Sequence, residues 1–271
     1  MKGSYEHSYA AMPGRGAHKG KKVIEKWLRK DPKNFKYVFK MDIQKFFDSI
    51  PHAILKTKLS KLIHDKKLLK ILYEIIDVTN MGIPLGFYTS QWFSNWYLQD
   101  FDHYVKEVLR VKYYVRFMDD IVIMSSSKSF LHYVKDEIEK YLTTKLGLRI
   151  KENWQIFKFN YSVGDKECGR DIDFMGFRFF RNRTILRRSI FLKALRKARR
   201  ISKKEKPTIF EIRQMLSYLG WINCTNTYIV YLNYIKPFVD FQKLKRRISN
   251  YDKRKNIKEK EIANECSLYV A

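Results

Sequence analysis

Cysteine is scarce in this chain and has no pattern. Of 271 residues only Cys168, Cys224 and Cys266 are cysteine, and neither a disulfide framework nor a zinc site has their spacing. A reducing, cytosolic setting follows. The six histidines form no paired metal motif. No apolar run approaches membrane-spanning length, and the amino-terminal MKGSYEHSYAAMPGRG lacks the apolar centre of a signal peptide. A membrane partner is therefore not expected. Internal repeats and low-complexity tracts are missing too. Acidic residues are few, 28 against 55 Lys and Arg, which leaves a formal net charge of +27.

What is present is enough to fold. Apolar residues make up 45% and aromatics 15% of a chain long enough for one large domain or two modest ones, so wholesale disorder is excluded. So large a positive excess costs self-repulsion unless it serves a polyanion. The basic residues are interleaved with Tyr, Phe and Trp through folded segments and are not gathered on one amphipathic helix. That pattern favours nucleic acid over a membrane surface.

Periodicity predicts a mixed order of elements. Residues 1–20 read as a Gly-rich basic loop, followed by a helix with Val23, Ile24, Trp27 and Leu28 on one face, ending before DPKN. KYVFKMDIQKFF alternates as a strand, with Tyr37, Phe39, Met41 and Ile43 on one face and Lys40 and Asp42 on the other. DSIPHAILKTKLSKLI reads as a helix capped by Asp48 or Ser49 with Pro51 in its first turn, and another helix covers 66–77. MGIPLGFYTSQW is a Gly/Pro loop leading into a long aromatic helix over 89–109. YYVRFMDDIVIMS is a hairpin, 128–145 a helix, and DIDFMGFRFFRNRTILRR a second hairpin. From 189 the pattern is helical and basic, with Phe191, Leu192, Leu195 and Ala198 facing inward. The charged tail after Asn250 is expected to fray. The fold class is α+β around a small antiparallel sheet, with a helical appendage.

An Asp-Asp pair in a hairpin is by itself an ordinary turn, since Asp side chains bond their own backbone. Asp42 alone is an ordinary surface residue. If the Asp42 strand lies beside the hairpin, however, Asp42 and Asp119 converge at one end of the sheet. Carboxylates so close repel unless a divalent cation lies between them. Mg²⁺ suits such a site, because it takes one or two carboxylates and completes its shell with water and substrate phosphates. Two such ions can serve phosphoryl transfer.

FMDD at Phe117–Asp120, between apolar strands, resembles the YxDD-type box of reverse transcriptases. MDIQKFFDSIPH is similar to their first carboxylate block, GIPLGFYTSQWFSNWYL to their nucleotide-and-template helix block, and HSYAAMPGRGAHKG to the fingers block written SYGFRPGR in relatives. GLRIKENWQIF and DFMGFRFF follow in the order of the lysine block and the primer-grip hairpin. The collinear blocks span about residues 5–250. The resemblance implies a right-hand polymerase with partial fingers (1–35), a palm (36–186), a helical basic thumb (187–250) and a charged tail (251–271). Its expected activity is RNA-directed DNA synthesis on an RNA template and a DNA or RNA primer, with deoxynucleoside triphosphates and two Mg²⁺ ions, or Mn²⁺ as substitute.

The same resemblance assigns residues. Asp42 and Asp119 become the main metal ligands, Asp120 the neighbouring carboxylate, and the Ile43 carbonyl a ligand of the nucleotide-bound ion. Phe47, five residues past Asp42, takes the steric-gate position that excludes a ribose 2′-hydroxyl; a core aromatic at the strand–helix junction is the alternative, but the offset favours the gate. Gly86, Ser90 and Gln91 support the incoming base and template, with Asn95 one turn on. Lys151 lies near the leaving pyrophosphate, or is a solvated surface lysine. Gly176 allows close backbone approach in the primer-grip hairpin. Arg187, Arg188, Lys193, Arg196, Lys197 and Arg200 grip duplex phosphates without reading sequence.

Two departures stand out. Most relatives write QGxxxSP where this chain has Leu85-Gly86-Phe87-Tyr88-Thr89-Ser90-Gln91, and LGxxxSQ is the form associated with diversity-generating retroelements, whose copying is error-prone. Relatives also carry a further fingers segment with a triphosphate clamp. A truncated frame, a split protein with a partner segment or accessory subunit, and a minimal variant using Arg15, Lys19 or Lys22 all remain open. The alternatives to a polymerase are a catalytically impaired RNA-binding relative and, against Phe47, an RNA-dependent RNA polymerase. The expected location is the cytoplasm of a bacterial or phage-infected cell, with diversification, mobility and phage defence all open as roles.

Overall fold

The structure is a computed structural model that describes residues 4–268, with side chains described as far as residue 255. Two compact units divide the chain, one comprising residues up to 175 together with 179–182, the other 176–178 together with 183 onward.

In the first unit, α1 (Ala17–Lys30) precedes β1 (Tyr37–Met41). The short α2 (Phe46–Ser49), α3 (His52–Leu62) and α4 (Lys66–Ile76) come next. The Gly/Pro loop leads to α5 (Tyr88–Tyr97) and α6 (Gln99–His103), then the hairpin of β2 (Tyr113–Phe117) and β3 (Asp120–Ser125). After α7 (Lys128–Tyr141), β4 (Gln155–Lys158) completes a four-stranded sheet of order β2-β3-β1-β4. All its pairings are antiparallel, with Phe39 opposite Ile123 on one side and Ile156 on the other. The alternation expected of β1 holds toward Asp42, while Val38, on the Lys40 face, is fully buried. Phe39, Met41 and Ile43 enter a core shared with Leu55, Phe101 and Leu131 of the helices, while Lys40 and Asp42 stay half-exposed.

Several boundaries moved for local reasons. Gly16 precedes a helix that begins inside the expected loop, at Ala17. Pro51 is the cap residue of α3 and not part of its first turn, because Phe46–Ser49 already forms a separate turn of helix. The helix expected over 89–109 is broken at Leu98 and ends in a π-helical stretch, Tyr104–Val108. A second π stretch, Leu142–Leu146, extends α7 until Gly147 stops it at φ +63°. The hairpin of β5 (Tyr161–Val163) and β6 (Lys166–Cys168) was not foreseen, although the Gly164-Asp165 pair between its strands is a recognised turn signal.

The segment expected as a second hairpin holds three short strands, β7 (Ile172–Phe174), β8 (Phe177–Phe179) and β9 (Thr184–Leu186), and the boundary between the units falls within it. The second unit then packs α8 (Arg188–Ser202), α9 (Ile209–Asn223), α10 (Tyr228–Tyr234) and α11 (Phe241–Leu268). A reciprocal Thr208/Glu211 capping box starts α9. On α8 the buried residues are Ala194, Ala198 and Ile201, whereas Phe191, Leu192 and Leu195 are only half-buried: the small side chains let neighbouring elements approach, which shifts the inward stripe. The tail expected to fray from 251 begins inside α11, which runs unbroken through that position; its side chains beyond 255 lie outside the described residues.

Candidate active site

Asp42 is the first residue past β1, and Asp119 lies in the two-residue turn between β2 and β3, whose last pair is Phe117–Asp120. Met118, the other turn residue, has φ +59°, a left-handed conformation that a non-glycine side chain disfavours. Beyond β1 the chain stays pinned. Ile43 bridges Ile150 in antiparallel fashion, Gln44 N–H donates to the Arg149 carbonyl at 2.9 Å, and Lys151 N–H donates to the Asp42 carbonyl at 2.8 Å. This pairing brings Lys151 to the site, its Nζ 4.0 Å from Asp42 Oδ2.

The carboxylates oppose each other electrostatically. Burial, and then the Asp42 carboxylate beside it, push Asp119 up to about 6, against the pull of a backbone hydrogen bond and of Lys151. Asp120 is engaged differently, its Oδ2 lying 3.7 Å from Lys40 Nζ, which also donates to the Asp173 carbonyl at 2.5 Å. Asp42, Asp120 and Lys40 line an open cleft of about 220 Å³, with Gln155 and Arg170 on its wall. Among the described residues, no group of three or more His, Cys, Asp or Glu side chains gathers as a metal cage. The two carboxylates that interact directly are Asp42 and Asp119, while Asp120 faces Lys40. An anionic, all-oxygen pair of this kind fits a hard cation that keeps water and phosphate in its shell, and it does not fit zinc.

The nucleotide block is tied to the carboxylate block through the backbone. Ile83 N–H donates to the Phe47 carbonyl at 2.8 Å. Gly82, at φ +75°, lies so close that a Cβ there would come within 2.4 Å of the same oxygen. His52 Nε2 pairs with the Gly82 carbonyl at 2.5 Å, while its Nδ1 lies 3.3 Å from Asp77. Phe47 is half-buried against the core and meets Phe46 edge-on at 5.5 Å. Gly86 is exposed at φ +94° with open space where a side chain would stand. Gln91 is exposed on α5, whereas Ser90 is buried and its hydroxyl donates to the Pro84 carbonyl at 2.5 Å. Ser90 therefore fixes the loop that carries Gly86. Arg15 is likewise engaged within its own segment, Nη1 donating to the Tyr5 and Ser8 carbonyls.

Sequence reasoning missed the group beneath the turn. Arg116 and Asp102 form an ion pair in which each side chain is 1% exposed, with Nη2–Oδ2 2.6 Å and Nε–Oδ1 2.8 Å. Tyr114 donates to the same carboxylate. Arg116 Nη1 reaches the Met118 carbonyl at 3.0 Å and Asn95 Oδ1 at 3.2 Å. The one signal was a lone arginine within the otherwise apolar run YYVRF.

In the second unit, Arg188, Lys193, Arg196 and Arg200 are exposed. Lys197 is turned inward, its Nζ 3.7 Å from Glu211. Arg187 N–H donates to the Gly176 carbonyl at 2.9 Å, and a Cβ on Gly176 would strike Ile190 and Trp221 within 3.0 Å. That glycine is required by packing within its own unit.

Comparison with known proteins bears on the family and the fold. The family described as "Reverse transcriptase (RNA-dependent DNA polymerase)" matches residues 4–179. The retron Ec73 reverse transcriptase of Escherichia coli is 25% identical over 150 residues, 51% of this chain and 47% of that protein. The chain thus spans about half the length of this curated relative. Among solved structures, telomerase from Candida albicans in complex with a telomeric RNA fragment gives a TM-score of 0.52 at 13% identity, over 91% of this chain and 47% of that one. Apo telomerase from Candida tropicalis gives 0.51 at 15%, over 81% and 41%. These likenesses concern the fold.

Proposed function

This chain belongs to the reverse transcriptase (RNA-dependent DNA polymerase) family, and from that premise we propose that it copies an RNA template into DNA, extending a primer 3′-hydroxyl with deoxynucleoside triphosphates. The observation that carries this reading is the pairing of Asp42 and Asp119 at one end of the sheet, with Asp119 pushed up to about 6 by burial and by its neighbour. A polymerase requires such a pair; a protein that only binds phosphates would be repelled by it.

Asp42 and Asp119 would hold the cations, with the Ile43 carbonyl beside them and Asp120 in the adjoining cleft. Bound Mg²⁺ or Mn²⁺ would activate the attacking hydroxyl and stabilise charge on the leaving pyrophosphate. The chain's own groups do the rest. The Phe47 ring, held through its carbonyl by the Gly82–Ile83 loop, limits room for a ribose 2′-hydroxyl. Exposed Gly86 lets a substrate approach the backbone closely. The Lys151 ammonium lies where it can offset phosphate charge. The exposed basic residues of α8 supply sequence-independent phosphate contacts.

Within this reading, the Leu85–Gln91 block favours an error-prone retroelement enzyme of the diversity-generating type. No helix among the described residues is long and apolar enough to cross a membrane. RNA binding without synthesis is the competing reading, and it draws on Arg15, whose Nη1 is taken up by its own loop rather than offered to a triphosphate.

The test is primer extension on an RNA template with deoxynucleotides and Mg²⁺ or Mn²⁺, using the chain in its complete reading frame. Extension that Asp119→Asn abolishes is expected. RNA binding without extension under either cation would overturn the proposal.

A further inference from the structure

Buried ion pairs add little to stability on average, because desolvation offsets attraction. The Arg116–Asp102 pair, with both side chains 1% exposed, therefore calls for another explanation, and its geometry supplies one. Arg116 lies on β2, opposite Ile121. Its guanidinium gives Nε and Nη2 to Asp102 on α6 and leaves Nη1 for the Met118 carbonyl at 3.0 Å. Met118 holds the left-handed conformation that turns the chain into Asp119, and such a conformation persists only where surroundings enforce it. Ser94 Oγ lies 3.2 Å from Met118 Sδ. The main chain of Arg116 is fixed as well, its N–H donating to the His7 carbonyl at 3.1 Å and its carbonyl accepting from Tyr9 N–H at 3.0 Å.

We propose that Arg116, oriented by Asp102, is the positioning residue for the Asp119 turn: it clamps the Met118 carbonyl so that Asp119 is presented to Asp42 as a preformed cation-binding pair. Asp102 holds the fork and accepts from the Tyr114 hydroxyl, Asn95 Oδ1 accepts from Nη1, and Arg116 touches neither substrate nor cation. The kinetic part of this inference rests on the polymerase reading; the cation-binding part does not.

Two variants separate positioning from stability. Arg116→Lys keeps the charge for Asp102 but lacks the planar fork that reaches Met118 at the same time. The double variant Asp102→Asn/Arg116→Met removes both charges, a replacement that often leaves stability unchanged or raised, while Asn can still accept from Tyr114. Each is assayed for thermal melting, for Mn²⁺ binding to the free chain by electron paramagnetic resonance, and for kcat and KM in primer extension.

Both variants are expected to melt within a few degrees of wild type, yet to bind Mn²⁺ about 10–100-fold more weakly, as loss of a group supporting a metal ligand commonly does. The kcat should fall by a similar factor with KM for the deoxynucleotide nearly constant. Wild-type Mn²⁺ affinity in a folded variant would overturn the proposal. Loss of the fold in both would assign the pair to stability and overturn it equally. If wild type makes no DNA, the function proposed above fails while the Mn²⁺ comparison still decides this inference.

Discussion

Asp119 holds its proton more tightly in the folded chain than in the unfolded one. Its value of about 6 stands above the ordinary 3.8, first through burial and then through Asp42. A carboxylate raised on folding contributes stability that is fully present below the unfolded value and is lost as pH rises through about 6. The cation-free wild type is therefore expected to lose melting temperature, relative to Asp119→Asn, as pH is raised from about 4 to about 7. Scanning calorimetry of both proteins with a chelator present checks this, and a constant difference across that range would refute it. Divalent cations compete with the proton for the same oxygens, so Mn²⁺ binding should weaken as pH falls below about 6. A second test at this scale concerns Phe47. Phe47→Ala should raise ribonucleotide incorporation relative to deoxyribonucleotide, read from competitive single-turnover extension. An unchanged ratio would return Phe47 to the role of a core aromatic. These aspartates and Phe47 could be nominated from the sequence because each lies within a local motif. Arg116 could not, because its burial depends on Asp102 in another helix.

At the scale of elements, the loop before α5 is a part held at several points. Gly82 touches the Phe47 carbonyl region, Ile83 donates to it, His52 binds the Gly82 carbonyl, and Ser90 ties Pro84 to the helix. Gly82→Ala would place a Cβ 2.4 Å from the Phe47 oxygen at φ +75°, at a cost of about 1–3 kcal/mol. Urea unfolding should show that loss together with weaker ribonucleotide discrimination, since the loop and the Phe47 backbone must part. Intact stability would mean that the loop relaxes freely. Periodicity found most of these elements but not the joints between them. The break at Leu98 and the π stretches at Tyr104–Val108 and Leu142–Leu146 arise where packing of Tyr97, Phe101 and Tyr141 outweighs the regular helical repeat, and no local signal marks that. Tyr97 illustrates the point: its hydroxyl donates to the Leu146 carbonyl at 2.6 Å, a group freed by the irregular helix end.

Over the whole molecule the dominant quantity is the net charge of +27. Binding to a primed template should weaken steeply with salt, on the order of a thousandfold between about 50 and 200 mM if about six phosphates are contacted. Arg196→Gln/Arg200→Gln should lower the slope of log affinity against log salt by about two, equally for unrelated sequences. Fluorescence anisotropy on two templates measures both quantities. A sequence-dependent loss, or an unchanged slope, would remove α8 from the phosphate-binding surface. Lys197 is left out because its side chain is mostly buried and faces Glu211, which also binds Lys204 at 2.8 Å, a distinction that a row of basic residues in the sequence does not make.

The sequence by itself determined the family and the mixed architecture, and it nominated a polyanion partner and the candidate reactive residues. Each of these follows from residue type at short spacing or from summed charge, and neither needs the chain to fold before it can be read. Only the tertiary structure decided which of those residues meet. It set Asp42 against Asp119 while giving Asp120 to Lys40, turned Ser90 and Lys197 inward, and buried Arg116 with Asp102 beneath the turn. Those choices depend on desolvation and on partners distant in sequence, and both come into being only when β1, β2, β3 and their covering helices pack together.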